Sequence, residues 1–182
     1  MPMIRPAMTS DVDAIARIDV ETWRTAYAGL LPDQLLTGLS THRRELFWSR
    51  FIARRPGDAM VACERDGTVL GFGSCGPQRD NNFDYGGEIF SLYVGPEHQN
   101  QGLGRHILLN LFDRLVHAGH RTALLWVLDA NPSRFFYERL GGKPVAHQAM
   151  EIGQARIASL AYGWGDLSAT IRNSGRATSR IG

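Results

Sequence analysis

The chain has 182 residues, of which 43% are hydrophobic and 21% are charged, as is usual for one soluble globular domain with a single core. Its longest apolar runs fall far short of the roughly 20 residues that a membrane-spanning helix needs, so we expect no membrane partner. The formal net charge is +2, and without the three arginines of residues 168–182 the chain carries −1. A nearly neutral body gives no reason to expect nucleic-acid binding.

Two further expectations concern location and metals. Arg5, Asp11 and Asp13 interrupt the apolar core that a signal peptide would need near the N-terminus, so we expect a cytoplasmic protein. The histidines show no metal-ligand spacing, so we expect no metal site. They are His42, His98, His106, His117, His120 and His147.

The first part of the chain predicts a strand, three helices and a hairpin. Thr9 and Ser10 are good N-cap residues, and apolar residues then recur at helical spacing until Gly29–Pro32 breaks the pattern. Two strand-like runs flank Asp66-Gly67, a strong signal for a two-residue hairpin turn. The predicted elements are a strand at 4–6, helices at 12–26, 33–38 and 41–54, and strands at 59–64 and 69–75.

The second part of the chain predicts alternating strands and helices. An apolar stripe predicts a helix that begins at Leu103 and ends before Gly119. Asn131 and Pro132 predict another helix, with the asparagine as cap and the proline at the first position. The other predicted elements are a loop at 77–87 and strands at 89–94, 122–128, 144–152 and 155–164.

This order of elements predicts an α/β chain with a mixed sheet. We expect a single domain over residues 1–167. Residues 168–182 are polar and rich in arginine, serine and glycine, so we expect a basic, flexible C-terminal tail there.

The segment between the strand at 89–94 and the next helix is the most informative motif. It reads Gln-Asn-Gln-Gly-Leu-Gly-Arg over residues 99–105, shortly after Val94-Gly95-Pro96. A strand, a glycine-bearing turn and a helix start together present backbone N–H groups and the positive end of the helix dipole, which suit a phosphate. The spacing matches neither the P-loop nor the dinucleotide fingerprint.

The pattern Gln-x-x-Gly-x-Gly resembles the acetyl-CoA-binding segment of the GCN5-related N-acetyltransferases (GNAT), and the element order over residues 3–164 is similar to theirs. The resemblance implies a mixed, mostly antiparallel sheet of about seven strands, with splayed central strands and flanking helices. It also implies acetyl-CoA as co-substrate and no metal. The cofactor-binding residues that it implies are Leu92, Tyr93, Val94, Gln99, Asn100, Gln101, Gly102, Leu103, Gly104, Arg105 and Asn131.

Two side chains are candidates for the catalytic steps. Tyr137 occupies the position of a family tyrosine that protonates the departing thiolate; the alternative is a core tyrosine. Acetyl transfer needs a neutral amine, so a base must remove a proton from the acceptor. Glu88, on the strand that carries Leu92 and Val94, is the candidate base, because some family members have a glutamate there. The alternative is an exposed carboxylate at a strand start.

Four aromatic residues lie in segments that border the acceptor site in this family, where rings could hold an ammonium group by cation–π attraction. The candidates for acceptor binding are Trp23, Tyr27, Phe83 and Tyr85. The alternative for Trp23 and Tyr27 is simple packing of the first helix on the sheet.

The resemblance implies an acetyl-CoA-dependent N-acetyltransferase that acts on a primary amine of a small molecule or on a protein or peptide N-terminus. Two alternatives stay open. One is a CoA-binding regulatory module without turnover, and the other is an acyltransferase that uses another acyl group or an oxygen acceptor. Dimers are common in the family, so a homodimer is an assembly that the resemblance allows.

Overall fold

The structure is a computed structural model that describes residues 2–80 and 82–178, and this part of the chain forms seven strands and six α-helices. The strands are β1 (Met3–Pro6), β2 (Ala59–Cys63), β3 (Val69–Pro77), β4 (Gly87–Val94), β5 (Ala123–Leu128), β6 (Lys143–Ile152) and β7 (Ala155–Trp164). The helices are α1 (Val12–Ala26), α2 (Asp33–Thr37), α3 (Thr41–Arg54), α4 (Leu103–His117), α5 (Arg134–Arg139) and α6 (Leu167–Thr178). Each helix in the described ranges is too short or too polar to cross a membrane.

The seven strands form one mixed sheet in the order β1-β2-β3-β4-β5-β7-β6. The pairs β1–β2, β2–β3, β5–β7 and β6–β7 are antiparallel, whereas β4 and β5 are parallel. Within the described ranges, the β4–β5 ladder runs from Gly87–Ala123 to Ile89–Leu125 and therefore covers only the first three residues of each strand. The predicted mixed, mostly antiparallel sheet with flanking helices is confirmed.

The chain forms two compact units. The first consists of Met1–Ser74 and Ser91–Asn110. Its core is built by one face of α1, by α3 and by the inward side chains of β2 and β3, because the apolar residues of these elements recur at helical or strand spacing. The core residues Ile15, Val61 and Phe72 are fully buried.

The second unit consists of Cys75–Phe90 and Leu111–Gly182. Its core contains buried apolar residues of the second half of α4, of β5 and of the second half of β7. Phe112 and Trp164 pack with ring centroids 5.0 Å apart, and Leu124 is fully buried. Gly119 follows α4 with φ of +90°, a backbone conformation that ends the helix where the sequence predicts.

The helix predicted at Asn131-Pro132 begins later than expected. Helix α5 starts at Arg134, after Ser133, and the Oδ1 atom of Asn131 accepts a hydrogen bond from the Ser133 N–H at 2.9 Å. Asn131 therefore closes a turn before the helix instead of capping the helix itself, as asparagine side chains often do.

Residues 168–178, which the sequence predicts to be part of a flexible tail, belong to helix α6. Asp166 caps this helix, because its Oδ1 atom accepts a hydrogen bond from the Ala169 N–H at 2.8 Å. Leu167 is fully buried and attaches the helix start to the core of the second unit. The helix was not predicted because the average composition of this segment is polar, and composition does not reveal a single capping residue or a single buried leucine. Residues 179–182, the rest of the predicted tail, lie outside the described residues.

Candidate active site

The turn between β4 and α4 has an unusual backbone. After a 3-10 turn at Pro96–His98, Asn100 has φ of 60° and Gly102 has φ of +80°. These left-handed residues redirect the chain so that α4 can begin at Leu103. The first hydrogen bond of the helix is donated by the His106 N–H to the Gly102 carbonyl at 3.1 Å, so the preceding amides lie at the helix start, where phosphates bind.

Two glutamine side chains hold this turn in shape. The Nε2 atom of Gln99 donates to the Val94 carbonyl at 3.1 Å, and that of Gln101 donates to the Glu97 carbonyl at 3.2 Å. Both side chains are thus used within the turn. The backbone N–H of Gln99 also donates within the turn, to the Pro96 carbonyl at 3.5 Å. What Gln101 could offer a phosphate is its backbone amide.

The end of β4 approaches β3 closely. A Cβ atom at Gly71 would lie 2.8 Å from the Tyr93 carbonyl oxygen, so a glycine is needed there. Leu92 and Val94, the other predicted cofactor-binding residues of β4, are half-buried. The Tyr93 ring packs edge-on against Phe72, with ring centroids 5.5 Å apart. The end of β4 is therefore packed closely against β3.

The structure brings Trp23 to Tyr93 in the first unit. The indole N–H of Trp23 donates to the Tyr93 hydroxyl at 3.1 Å. Trp23 also packs edge-on against Tyr27 at 4.9 Å, and the Arg44 guanidinium lies 5.8 Å from its ring centroid. Arg44 itself forms an ion pair with the buried Asp19 at 3.0 Å. Trp23 is thus contacted by Tyr93 on β4, by Arg44 on α3 and by Tyr27 at the end of its own helix.

In the second unit, Glu88 is buried and paired with Arg79. One carboxylate oxygen accepts a hydrogen bond from the Arg79 backbone N–H at 3.0 Å, and the other accepts from the Nε and Nη2 atoms of its guanidinium. Glu88 is only 3% exposed, so the reading of an exposed carboxylate at a strand start is wrong. Sequence reasoning missed Arg79. The one signal in the sequence was that Arg79 is the single arginine of the loop predicted before the Glu88 strand.

The other two predicted acceptor residues lie in the loop before β4. The ring of Phe83 packs edge-on against Trp126 at 5.7 Å. The hydroxyl of Tyr85 lies against Gly163 of β7, where a Cβ atom would collide with it. Both rings are half-buried, so they are partly available to a ligand.

Tyr137 and Asn131 are both buried in the second unit. The Tyr137 ring centroid lies 6.1 Å from that of Tyr162 and 6.4 Å from that of Trp164. The Tyr162 hydroxyl donates to Glu138, and burial together with this carboxylate raises the pKa of Tyr162 to about 12. Tyr162 is therefore poorly suited to release a proton, and Tyr137 stays the predicted acid.

The predicted residues thus divide by unit. The first holds the turn at 99–105, Leu92 to Val94, and Trp23 with Tyr27, whereas the second holds the remaining candidates. Those candidates are Phe83, Tyr85, Glu88, Asn131 and Tyr137. The described ranges contain no group of three or more His, Cys, Asp or Glu side chains that could hold a metal ion.

Known proteins resemble this chain in sequence and in fold. The model of the acetyltransferase (GNAT) family matches residues 17–142. The uncharacterized N-acetyltransferase YuaI of Bacillus subtilis (strain 168) is 34% identical over 93% of this chain and 96% of its own. The L-amino acid N-acyltransferase MnaT of Escherichia coli (strain K12) is 29% identical over 82% of this chain and 84% of its own.

A solved structure shows the same fold. The structure of yncA from Salmonella typhimurium with its cofactor acetyl-CoA matches with a TM-score of 0.68 at 24% identity. The match covers 92% of this chain and 94% of that one. With the family model spanning more than half of its residues, the chain belongs to the acetyltransferase (GNAT) family.

Proposed function

We propose that the protein is an acetyl-CoA-dependent N-acetyltransferase that transfers the acetyl group directly to a primary amine. The observation that carries this proposal is the turn before α4, where Asn100 and Gly102 have left-handed backbone and the first helical amides follow. Family membership supports the donor, because GNAT enzymes use acetyl-CoA. The acetyl-CoA bound to the yncA structure supports it as well.

The donor is held mainly by backbone groups in this proposal. The amides of residues 99–105 bind the pyrophosphate, which suits the positive end of α4. The backbone of Leu92, Tyr93 and Val94 pairs with the pantetheine amides, as an added strand pairs with a sheet edge. Asn131 contributes its side-chain amide, whose oxygen is already used by Ser133.

The transfer itself needs three groups. Glu88 removes the proton from the acceptor ammonium, and the neutral nitrogen then attacks the thioester carbon to form the C–N bond. The backbone N–H of Leu92 stabilises the negative charge on the carbonyl oxygen of the tetrahedral intermediate. Collapse of this intermediate breaks the C–S bond, and the Tyr137 hydroxyl protonates the departing thiolate.

The acceptor is a primary amine of a small molecule or a peptide N-terminus. The name of MnaT, an L-amino acid N-acyltransferase, supports the small-molecule class. The residues proposed to contact the acceptor are Trp23 and Tyr27 in the first unit, and Phe83 and Tyr85 in the second. A cytoplasmic location and a homodimer stay predictions.

A thermal-shift experiment tests the donor. A ligand at 100 times its Kd stabilises a fold by about 2.7 kcal/mol, so acetyl-CoA should raise the melting temperature clearly. Absence of any shift at millimolar acetyl-CoA contradicts the proposal.

An acceptor screen with release of free CoA thiol as the readout tests turnover. The screen should contain amino acids, polyamines and short peptides. Acetyl-CoA binding without thiol release on any amine would favour the regulatory module. Release on alcohols alone, or with longer acyl-CoA alone, would favour the other acyltransferase alternative.

A further inference from the structure

The ion pair between Arg79 and Glu88 is strongly asymmetric in its exposure. The Glu88 side chain is 4% exposed, whereas the Arg79 side chain is 64% exposed. A buried carboxylate therefore holds a guanidinium whose outer edge faces solvent. An arginine side chain has five N–H donors. Glu88 uses only the Nε and Nη2 groups, so the Nη1 edge remains for another acceptor.

The guanidinium of Arg79 is also held in orientation by a ring. It lies 4.6 Å from the ring centroid of Phe90, two residues after Glu88 on the same strand. A guanidinium fixed by a carboxylate on one edge and a ring on its face is pre-organised. Such a group loses little freedom when it binds a carboxylate in bidentate fashion.

A second donor next to Arg79 finds no partner among the described residues. The side-chain Nε2 atom of Gln78 is buried and makes no hydrogen bond within the described part of the chain. Buried donors are nearly always satisfied in folded proteins, so an unpaired one points to a missing acceptor atom. Gln78 and Arg79 are consecutive, and the backbone N–H of Gln78 is bonded to the Gly86 carbonyl at 3.1 Å. The loop is therefore anchored at this point.

We propose that Arg79 binds the carboxylate of the acceptor and thereby makes free α-amino acids the preferred substrates. This inference rests on the proposed acetyltransferase function and assigns its acceptor class. Arg79 and Glu88 match an amino-acid zwitterion in charge, because the guanidinium can take the α-carboxylate while Glu88 receives the proton of the α-ammonium. A polyamine offers no carboxylate to Arg79, and a peptide N-terminus has replaced its α-carboxylate by an amide.

Arg79 keeps its bonds to Glu88 when its Nη1 edge binds the acceptor carboxylate. The Oε2 atom of Glu88 accepts a hydrogen bond from the Arg79 backbone N–H, and a carboxylate oxygen has a second lone pair that can receive the ammonium proton.

Matched acceptors test the inference. Leucine and phenylalanine are each compared with the corresponding decarboxylated amine and with the corresponding α-amide, by thiol release from acetyl-CoA. In the wild type, kcat/KM for each amino acid should exceed that for its amine by roughly 100-fold, because the amine loses the charge-assisted hydrogen bonds to the guanidinium. Similar values for amino acid and amine overturn the inference.

Variants of Arg79 test whether this side chain causes the preference for amino acids over amines. Arg79→Gln should raise KM for the amino acids until the ratio of amino acid to amine approaches one. Arg156→Gln removes another exposed arginine of the same unit, on β7, and should preserve the ratio. The double variant Arg79→Gln/Glu88→Gln avoids an unpaired buried charge and shows by its melting temperature whether the fold persists. A preserved ratio in Arg79→Gln overturns the inference.

Equilibrium binding separates this inference from the proposed function. By calorimetry on the CoA-loaded protein, leucine should bind and its decarboxylated amine should not, and Arg79→Gln should lose leucine binding. If acetyl-CoA binds and amines react while amino acids neither bind nor react, the carboxylate site is wrong and the acetyltransferase function stands. If acetyl-CoA itself does not bind, the proposed function fails instead.

Discussion

The indole N–H of Trp23 donates a hydrogen bond to the hydroxyl of Tyr93 at 3.1 Å, and this bond joins the last turns of α1 to the end of β4. The two residues are 70 positions apart in the sequence. Trp23 is a proposed acceptor residue and Tyr93 a proposed cofactor residue. Within the first unit, each of these side chains therefore fixes the orientation of the other.

Removing either partner of this bond should lower stability. We expect Trp23→Phe and Tyr93→Phe each to cost about 1 kcal/mol, since a half-buried hydrogen bond contributes on that order. In a double-mutant cycle measured by urea unfolding, the coupling energy should be about 1 kcal/mol. Simple additivity of the two single effects would mean that the bond contributes nothing.

Gly102→Ala should weaken acetyl-CoA binding. The glycine has φ of +80°, and an added Cβ atom would come no closer than 4.0 Å to the His106 side chain, its nearest neighbour. The cost therefore comes from the left-handed backbone and is roughly 1–2 kcal/mol. A shifted turn should cost about tenfold in acetyl-CoA affinity, or about 1.4 kcal/mol. Calorimetric titration gives both affinities.

Gly67→Ala is the matched control for this change. Gly67 has φ of +92°, and an added Cβ atom would meet open space there too, but this glycine lies in the β2–β3 turn. The control should lose stability to a similar extent and keep its acetyl-CoA affinity. Equal loss of affinity in both variants would show that the effect is a general loss of stability.

Tyr137→Phe should lower kcat without unfolding the protein, because the ring packing against Tyr162 and Trp164 is retained. A general acid typically contributes about 100-fold or more to rate. Tyr162→Phe, which loses the hydrogen bond to Glu138, should cost about 1 kcal/mol of stability and leave kcat unchanged. An unchanged kcat in Tyr137→Phe would remove it from the catalytic mechanism.

Asp11 and Asp19 are both buried, and their contributions to the free energy of unfolding should depend on pH in opposite directions. Burial acts to raise the pKa of Asp11, but hydrogen bonds from Arg5 and from the Met8 N–H outweigh it, so the pKa lies below its usual 3.8. The Asp11 carboxylate therefore stabilises the fold above pH 3.8, and this stabilisation is lost as pH falls through the lowered pKa. Burial raises the pKa of Asp19 above 3.8, against the opposing effect of Arg44. The contribution of Asp19 to stability is therefore present below pH 3.8 and is lost as pH rises through the raised pKa.

These two pH dependences can be checked by urea unfolding of Asp11→Asn, Asp19→Asn and the wild type. The measurements are made at several pH values between 3 and 6, because the usual aspartate pKa is about 3.9. As pH falls below 3.8, the wild type should lose its advantage over Asp11→Asn. As pH rises above 3.8, the wild type should lose stability relative to Asp19→Asn. Parallel curves for the three proteins would contradict both assignments.

Features that depend on neighbouring residues were predictable from the sequence. The apolar stripe of α4, the hairpin turn at Asp66-Gly67 and the glycine turn at 99–105 all have signals within a few residues, and the structure confirms both helix and hairpin. The prediction missed helix α6, whose start depends on only two residues. Asp166 and the buried Leu167 start α6 in a segment whose average composition is that of a mobile tail.

Local periodicity, capping and turn residues thus specify the elements of this chain, their order and the family motif, because those preferences act over one or two turns of backbone. The side-chain partners around the candidate site follow from strand pairing and helix packing. Trp23 meets Tyr93 across 70 residues, and Arg79 meets Glu88 across nine. Such contacts depend on where the folded chain returns, and no local pattern encodes that position.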